Sequence, residues 1–144
     1  MRMRAAVVIV ENGRVALIER VRDRRTYFVL PGGGVEAGES QQQAAVREAH
    51  EELGVSVELG DLISVAYRDG REQRYYLASI AGGTFGTGRG TEMMTSGTTA
   101  KGTYRLVWVD LTSLMELDVR PRALSEALAS WTGNGEIRWI GEYK

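Results

Sequence analysis

The sequence predicts an α/β fold built as one domain, and three observations carry that prediction. Strand-like runs flank two turn dipeptides, Asn12-Gly13 and Asp69-Gly70. Apolar residues recur at helical spacing before Gly54 and after Pro121. The chain has 144 residues, enough to close a single substantial core. No internal repeat or linker-like stretch divides it, so the domain is expected to run over residues 1–144.

AAVVIV and RVALIER, on either side of Asn12-Gly13, form a β-hairpin, because Asn and Gly tolerate the positive φ angles of a type I′ turn. VRDRRT is expected to be a polar loop and YFVL a short buried strand. Pro31 with Gly32, Gly33 and Gly34 should stop that strand and open a flexible turn. Ser40 as N-cap with Gln43 three residues later makes a capping box, and Gly54 suits a left-handed C-terminal cap, so a helix is predicted over Gln41–Leu53. At roughly 100° per residue, Val46, Ala49 and Leu53 fall on one apolar arc while Glu48, Glu51 and Glu52 lie away from the core. His50 falls nearer the apolar arc, which assigns it packing or a place on the surface.

LISVAYR and QRYYLASIA around Asp69-Gly70 predict a second hairpin. Gly82 to Thr103 is mostly Gly, Thr and Ser without a period, the mark of a functional or disordered loop. YRLVWV is a further strand. Leu124, Ala127, Leu128 and Trp131 recur at helical spacing, giving a second amphipathic helix, and EIRWI reads as an edge strand.

Composition removes whole classes of chemistry. With no cysteine there is no disulfide, thiolate zinc site or thiol nucleophile, and one histidine excludes a histidine-rich metal centre. A net charge of −1 offers no global attraction to nucleic acid or anionic membrane, so phosphate binding must be local. MRMR is followed only by a short apolar run, which predicts neither signal peptide nor membrane span and hence a cytoplasmic protein.

Against that background the run REAHEELGV is unusual. Glu48 with Glu51 and Glu48 with Glu52 are like-charge pairs on one helix, each costing about 0.2–0.5 kcal/mol. Their place in the last turns, at the negative end of the helix dipole, adds about 0.3–1 kcal/mol per acid. A hard divalent cation would offset the repulsion, since Mg²⁺ prefers oxygen ligands and combines a few carboxylates with water and substrate phosphate. The glycine-rich stretch just before the helix lets backbone groups, those of Gly32 and Gly34 included, approach a ligand without side-chain interference.

From Gly33 the spacing is Gly, five residues, Glu39, seven residues, then REAHEELGV. It resembles the Nudix hydrolase signature GX5EX7REUXEEXGU at every fixed position, with Ala49 small for its apolar slot. The resemblance implies an α/β/α sandwich with a mixed β-sheet between helices. It implies a metal site of Glu48, Glu52 and Glu51, directly or through water, with the Gly33 carbonyl, loaded with Mg²⁺ or alternatively Mn²⁺. It also implies hydrolysis of a nucleoside diphosphate linked to another group, with Glu48 and Glu52 in the catalytic set. The general base of such proteins lies in the box or on a separate loop. Glu92, the acid of the irregular segment, is therefore a candidate catalyst or extra ligand, with a solvated side chain the alternative.

Glu39 is expected to fold back onto Arg47 in a structural pairing. Arg22 and Arg25, with Arg20 and Arg24, are candidate phosphate clamps that otherwise stay solvated. Tyr67, Tyr75, Tyr76 and Phe85 are expected in the core or at a dimer contact more than on a base, and Met93 and Met94 line a pocket or move freely. The expected partner is a small nucleotide, ranked as (deoxy)nucleoside triphosphate or modified nucleotide, then ADP-ribose or nucleotide sugar, then dinucleoside polyphosphate. Pro31 and Pro121 are the only prolines, so the proline that the ADP-ribose subgroup tends to carry past the box is missing. A nucleotide-sensing domain without turnover is the rival class, disfavoured because all three acids are kept. Exposed strands and tyrosines allow a homodimer.

Overall fold

The computed structural model describes residues 3–68, 70–86, 96–99, 102–131 and 141–143. In chain order the elements are β1 (Arg4–Glu11), β2 (Arg14–Arg22), β3 (Arg25–Val29), β4 (Gly32–Gly34), α1 (Gln41–Leu53), β5 (Val55–Arg68) and β6 (Arg71–Gly83). They continue as β7 (Ser96–Thr99), β8 (Gly102–Asp110), a 3-10 helix (Leu111–Glu116), β9 (Val119–Arg120), α2 (Arg122–Ala129) and β10 (Gly141–Tyr143). The strands form one mixed sheet in the order β10-β5-β6-β1-β2-β3-β9, with β4 on β1 and β7 on β8. β1 with β6, β10 with β5 and β3 with β9 are parallel; the other ladders are antiparallel.

The first hairpin turns at Asn12 and Gly13, with φ of 53° and 75°, the positive values of a type I′ turn. Its ladder is short: Val10 faces Val15 and Glu11 faces Arg14, after which the strands part. β3 takes over along β2 and β4 along β1, so the sheet forks. The chain crosses between the arms at Leu30 and Pro31, where the Val7 N–H donates to the Pro31 carbonyl at 2.9 Å.

Two expectations fail here. VRDRRT is not a loop, because β2 and β3 extend to a two-residue turn at Asp23 and Arg24, with φ of 52° and 64°. Neither residue is glycine, so the composition gave no sign of it. The glycine run is likewise a paired strand, Gly32 opposite Ala6, Gly33 opposite Ala5 and Gly34 opposite Arg4. Glycine is required by close approach, since a Cβ on Gly32 would strike the Ala5 carbonyl and Ala6.

The second hairpin closes with Arg68 opposite Arg71, and its strands are longer than the motif suggested. Within Gly82 to Thr103, expected to be irregular, Gly82 and Gly83 belong to β6, and Ser96–Thr99 pairs with Gly102–Arg105. EIRWI lies outside the described residues, next to β10. The second helix is present, with Leu124 and Leu128 buried.

The sheet separates two apolar clusters. On one side α1 contributes Ala44, Ala45, Ala49 and Leu53 to a core with Ala5, Val7, Ile9 and Tyr76. On the other, α2 and the 3-10 helix supply Leu124, Leu128, Leu111 and Leu114 to a core with Ala6, Val8, Leu17 and Tyr75. Helices thus cover both faces of a mixed sheet, the α/β/α sandwich expected. Adjacent Tyr75 and Tyr76 serve opposite cores, as strand alternation requires. Among the described residues no helix is long and apolar enough to cross a membrane.

Candidate functional site

α1 begins and ends as its sequence dictates. The Ser40 hydroxyl accepts from the Gln43 N–H at 3.0 Å while the Gln43 side chain accepts from the Ser40 N–H at 2.9 Å, and Gly54 closes the helix at φ 79°. Its inward face differs from the apolar arc predicted. Val46 is 37% exposed, Ala44 and Ala45 are buried in its place, and Glu52 is buried at 5% exposure. The expectation that the acids all avoid the interior is therefore corrected for Glu52. Small alanines at these positions let α1 sit close to the sheet, which carries a residue one position before Leu53 under cover.

Glu52 meets β4, where its carboxyl takes a hydrogen bond from the Gly32 backbone, and it is hydrogen-bonded to Glu48. Glu48 lies against Gly33, so closely that any Cβ there would collide with its carboxylate. Burial, then the hydrogen bond and charge of Glu48, hold the Glu52 carboxyl well above its ordinary value of 4.5; Gly32 and Arg4 pull in the opposite direction. The Glu52 carboxyl therefore gives up its proton less readily than a free one.

Arg47 ties the surroundings together. Its Nε and Nη2 fork onto Glu39 at 2.7 and 3.0 Å, Nη2 also donates to the Gly34 carbonyl at 2.9 Å, and Nη1 donates to Glu48 at 2.9 Å and Glu51 at 3.2 Å. Glu39 in turn accepts from the Glu36 N–H at 3.0 Å. Glu39 first, and then Glu48, raise the Arg47 pKa against the opposing effect of burial. One guanidinium thus fixes the loop, the glycine strand and the acidic helix face relative to one another.

The donor set suits a hard divalent cation in a particular way. Among the described residues no three His, Cys, Asp or Glu side chains converge on one point. Glu51, 46% exposed, is drawn toward Arg47. Glu48 and Glu52 are what the fold brings together, and a cation held by two carboxylates leaves positions for a backbone carbonyl, water and substrate oxygen, the habit of Mg²⁺.

Arg22 and Arg25 are exposed on the other arm of the fork, facing one another across the β2–β3 turn. Glu92, Met93 and Met94 lie outside the described residues. His50 is exposed, and Phe85 packs on Trp108 with ring centres 4.9 Å apart. Tyr27 and Arg120, which stack at 4.2 Å on the α1 side of β3 and β9, carry no local sequence signal. Only the register that places β9 beside β3 reveals that pair.

Comparison with known proteins agrees with this layout. The chain is 35% identical over 74 residues to an ADP-ribose pyrophosphatase of Methanocaldococcus jannaschii, covering 51% of this chain and 44% of that one. It is 36% identical over 66 residues to a CTP pyrophosphohydrolase of Escherichia coli, covering 44% and 49%. The matches therefore span about half or less of these curated relatives' length. Among solved structures, a NUDIX hydrolase from Nitrosomonas europaea superposes with a TM-score of 0.70 at 21% identity, covering 96% of this chain and 91% of that one. An ADP-ribose pyrophosphatase from Streptococcus suis gives 0.66 at 18%, covering 99% and 98%. At such identity the likeness is one of fold. The NUDIX domain model matches residues 1–128, which takes in the fork, the glycine strand and the acidic helix, and the chain belongs to the Nudix family.

Proposed function

We propose that this protein is a divalent-metal-dependent pyrophosphohydrolase that cleaves a nucleoside diphosphate linked to another group. The observation that carries the reading is the contact of the Glu48 and Glu52 carboxyls with each other and with the Gly32–Gly33 backbone. A cation would take the place of the proton that burial leads Glu52 to keep.

Glu48, Glu52 and the Gly33 carbonyl would hold the metal, with Glu51 acting through water. Bound there, Mg²⁺ or Mn²⁺ would neutralise diphosphate oxygens and lower the pKa of a water. The chain supplies the rest. Arg47 holds Glu48 and the Gly34 carbonyl in place, so the carboxylates need not reorganise as charge develops. In the reaction the water oxygen bonds to phosphorus, the bridging P–O bond breaks and its oxygen leaves with the electron pair, and a carboxylate takes the water proton. Candidates for that carboxylate are Glu52, Glu48 and Glu92.

On substrate, the relatives' names favour two classes, a nucleoside triphosphate from the CTP pyrophosphohydrolase and ADP-ribose from the M. jannaschii enzyme. The triphosphate or a modified nucleotide stays first, because the proline of the ADP-ribose subgroup is missing. The protein is expected to act in the cytoplasm on small nucleotides.

Phosphate or pyrophosphate release from a nucleotide panel, with and without Mg²⁺, tests the reaction. Glu52→Gln should lower Mg²⁺-dependent turnover by at least about a hundredfold, the upper end of what losing a mere supporting partner costs. The variant's melting curve serves as the control for folding. Turnover equal to wild type would overturn the assignment.

A further inference from the structure

The fork gives the candidate site a second wall. Counting from the Val10–Val15 pair, Ala5 and Arg20 each stand five residues along their strands, roughly 17 Å from the vertex at about 3.3 Å per residue. Ala5 pairs with Gly33, beneath Glu48. At the same level on the other arm, Arg20 pairs with Tyr27 and with Tyr104. Tyr104 belongs to the α1-side core along with Ala5, so Arg20 and Tyr27 face the side on which Glu48 lies. Arg22 and Arg25 continue that face two residues further out, and Arg120 enters from β9 with its guanidinium over the Tyr27 ring.

Four arginines on one face is a costly arrangement. Arg22 and Arg25 stand directly opposite, where like charges destabilise a sheet, and neither makes a hydrogen bond or short ion pair with another described residue. Asp118 is hydrogen-bonded to Arg120, with contacts of 3.0 and 3.3 Å, and its charge reaches Arg25 only at longer range, so it offsets the repulsion in part. An anion is the group that would offset the rest. Arg22 and Arg25 lie on the arm away from Glu48 and about 7 Å further out than its level. That position suits a group carried at the far end of the substrate better than the diphosphate being cleaved.

We propose that Arg22 and Arg25, backed by Arg20 and Arg120, hold a second phosphate of the substrate, one remote from the scissile bond. The substrate class is then a nucleotide derivative with an additional phosphoryl group on its sugar. Nucleic acid fits less well, because the reverse face of β2 places Glu19 against Arg105 at 3.2 Å and the chain as a whole carries −1. The inference rests on the hydrolase reading, and its test separates the two.

Matched pairs that differ by one such phosphate serve as probes: ADP-ribose and its 2′-phosphate, NADH and NADPH, dephospho-coenzyme A and coenzyme A. For at least one pair the phosphorylated member should show kcat/KM higher by about tenfold, the scale of one charge-assisted hydrogen bond. In the Arg22→Ala/Arg25→Ala variant that ratio should collapse toward one through KM. The ligand-free variant should melt no lower than wild type, since repulsion has been relieved. Ratios near one in wild type, or a preference that survives the double substitution, would overturn the proposal. So would a 5′-triphosphorylated oligonucleotide that outcompetes every small probe through these arginines. If no probe is turned over, calorimetric titration of the same pairs decides the arginine wall by the same ratio, while phosphate or pyrophosphate release from the wider nucleotide panel, nucleoside triphosphates included, decides the hydrolase reading separately.

Discussion

At the scale of single residues, Glu52 shows most clearly what a sequence pattern conceals. Its neighbours mark it as one acid of a solvated cluster, yet it is buried against β4 with a carboxyl pKa held above 4.5. The sign of the consequence follows from linkage. Between 4.5 and the raised folded value, the native state keeps a proton that the unfolded chain has released. The contribution of Glu52 to stability is therefore fully present at low pH and lost as pH rises through the folded value. A divalent cation takes the place of that proton, so the gain in Tm on adding Mg²⁺ should grow with pH over the same interval, each ~1 kcal/mol being worth about 4 °C in a domain this size. Differential scanning calorimetry at several pH values measures it, and a Mg²⁺ increment independent of pH would count against a cation at this pair. Glu48 and the Gly33 spacing were legible from the motif. The burial of Glu52 was not, because it depends on how deeply three alanines let the helix settle.

For α1 and β4 as elements, local chemistry was nearly sufficient. The capping box, the helix span and Gly54 are encoded within a few residues and appear where the sequence put them. The glycine strand is different, because glycine propensity speaks for a turn and only the crowding against Ala5, Ala6 and Glu48 explains a ladder there. What joins the two elements is Arg47, whose planar fork serves Glu39 and the Gly34 carbonyl together. Lysine cannot reproduce that geometry. Arg47→Lys should therefore weaken Mg²⁺ binding and turnover by about 10–100-fold, as loss of a supporting partner does. A metal titration followed by a rate assay checks this, and full metal affinity in the lysine variant would show that the fork is dispensable.

Across the whole molecule, the sheet keeps its two apolar clusters apart, and only one of them touches the acids. Leu124, fully buried in the α2 cluster, is a clean probe of that separation. Leu124→Ala should cost about 2–5 kcal/mol in denaturant unfolding. Turnover per folded molecule should stay at the wild-type level, and a fall in it would show that the far layer shapes the site. The order of strands was the least legible feature. Hairpins betray themselves through turn dipeptides, but the parallel pairing of β1 with β6 and of β3 with β9 joins segments far apart in sequence that no local signal links. Even the first hairpin, legible from Asn12-Gly13, hid its main property, since its ladder ends after two residue pairs.

That brief ladder has a mechanical corollary. The limb bearing the acids and the limb bearing the arginines spring from a common corner at Asn12 and Gly13, like the legs of a pair of dividers. The angle at the corner sets the span of molecule that can be gripped at both tips, so a change beside the pivot would alter the length of ligand accepted without touching any group that binds it.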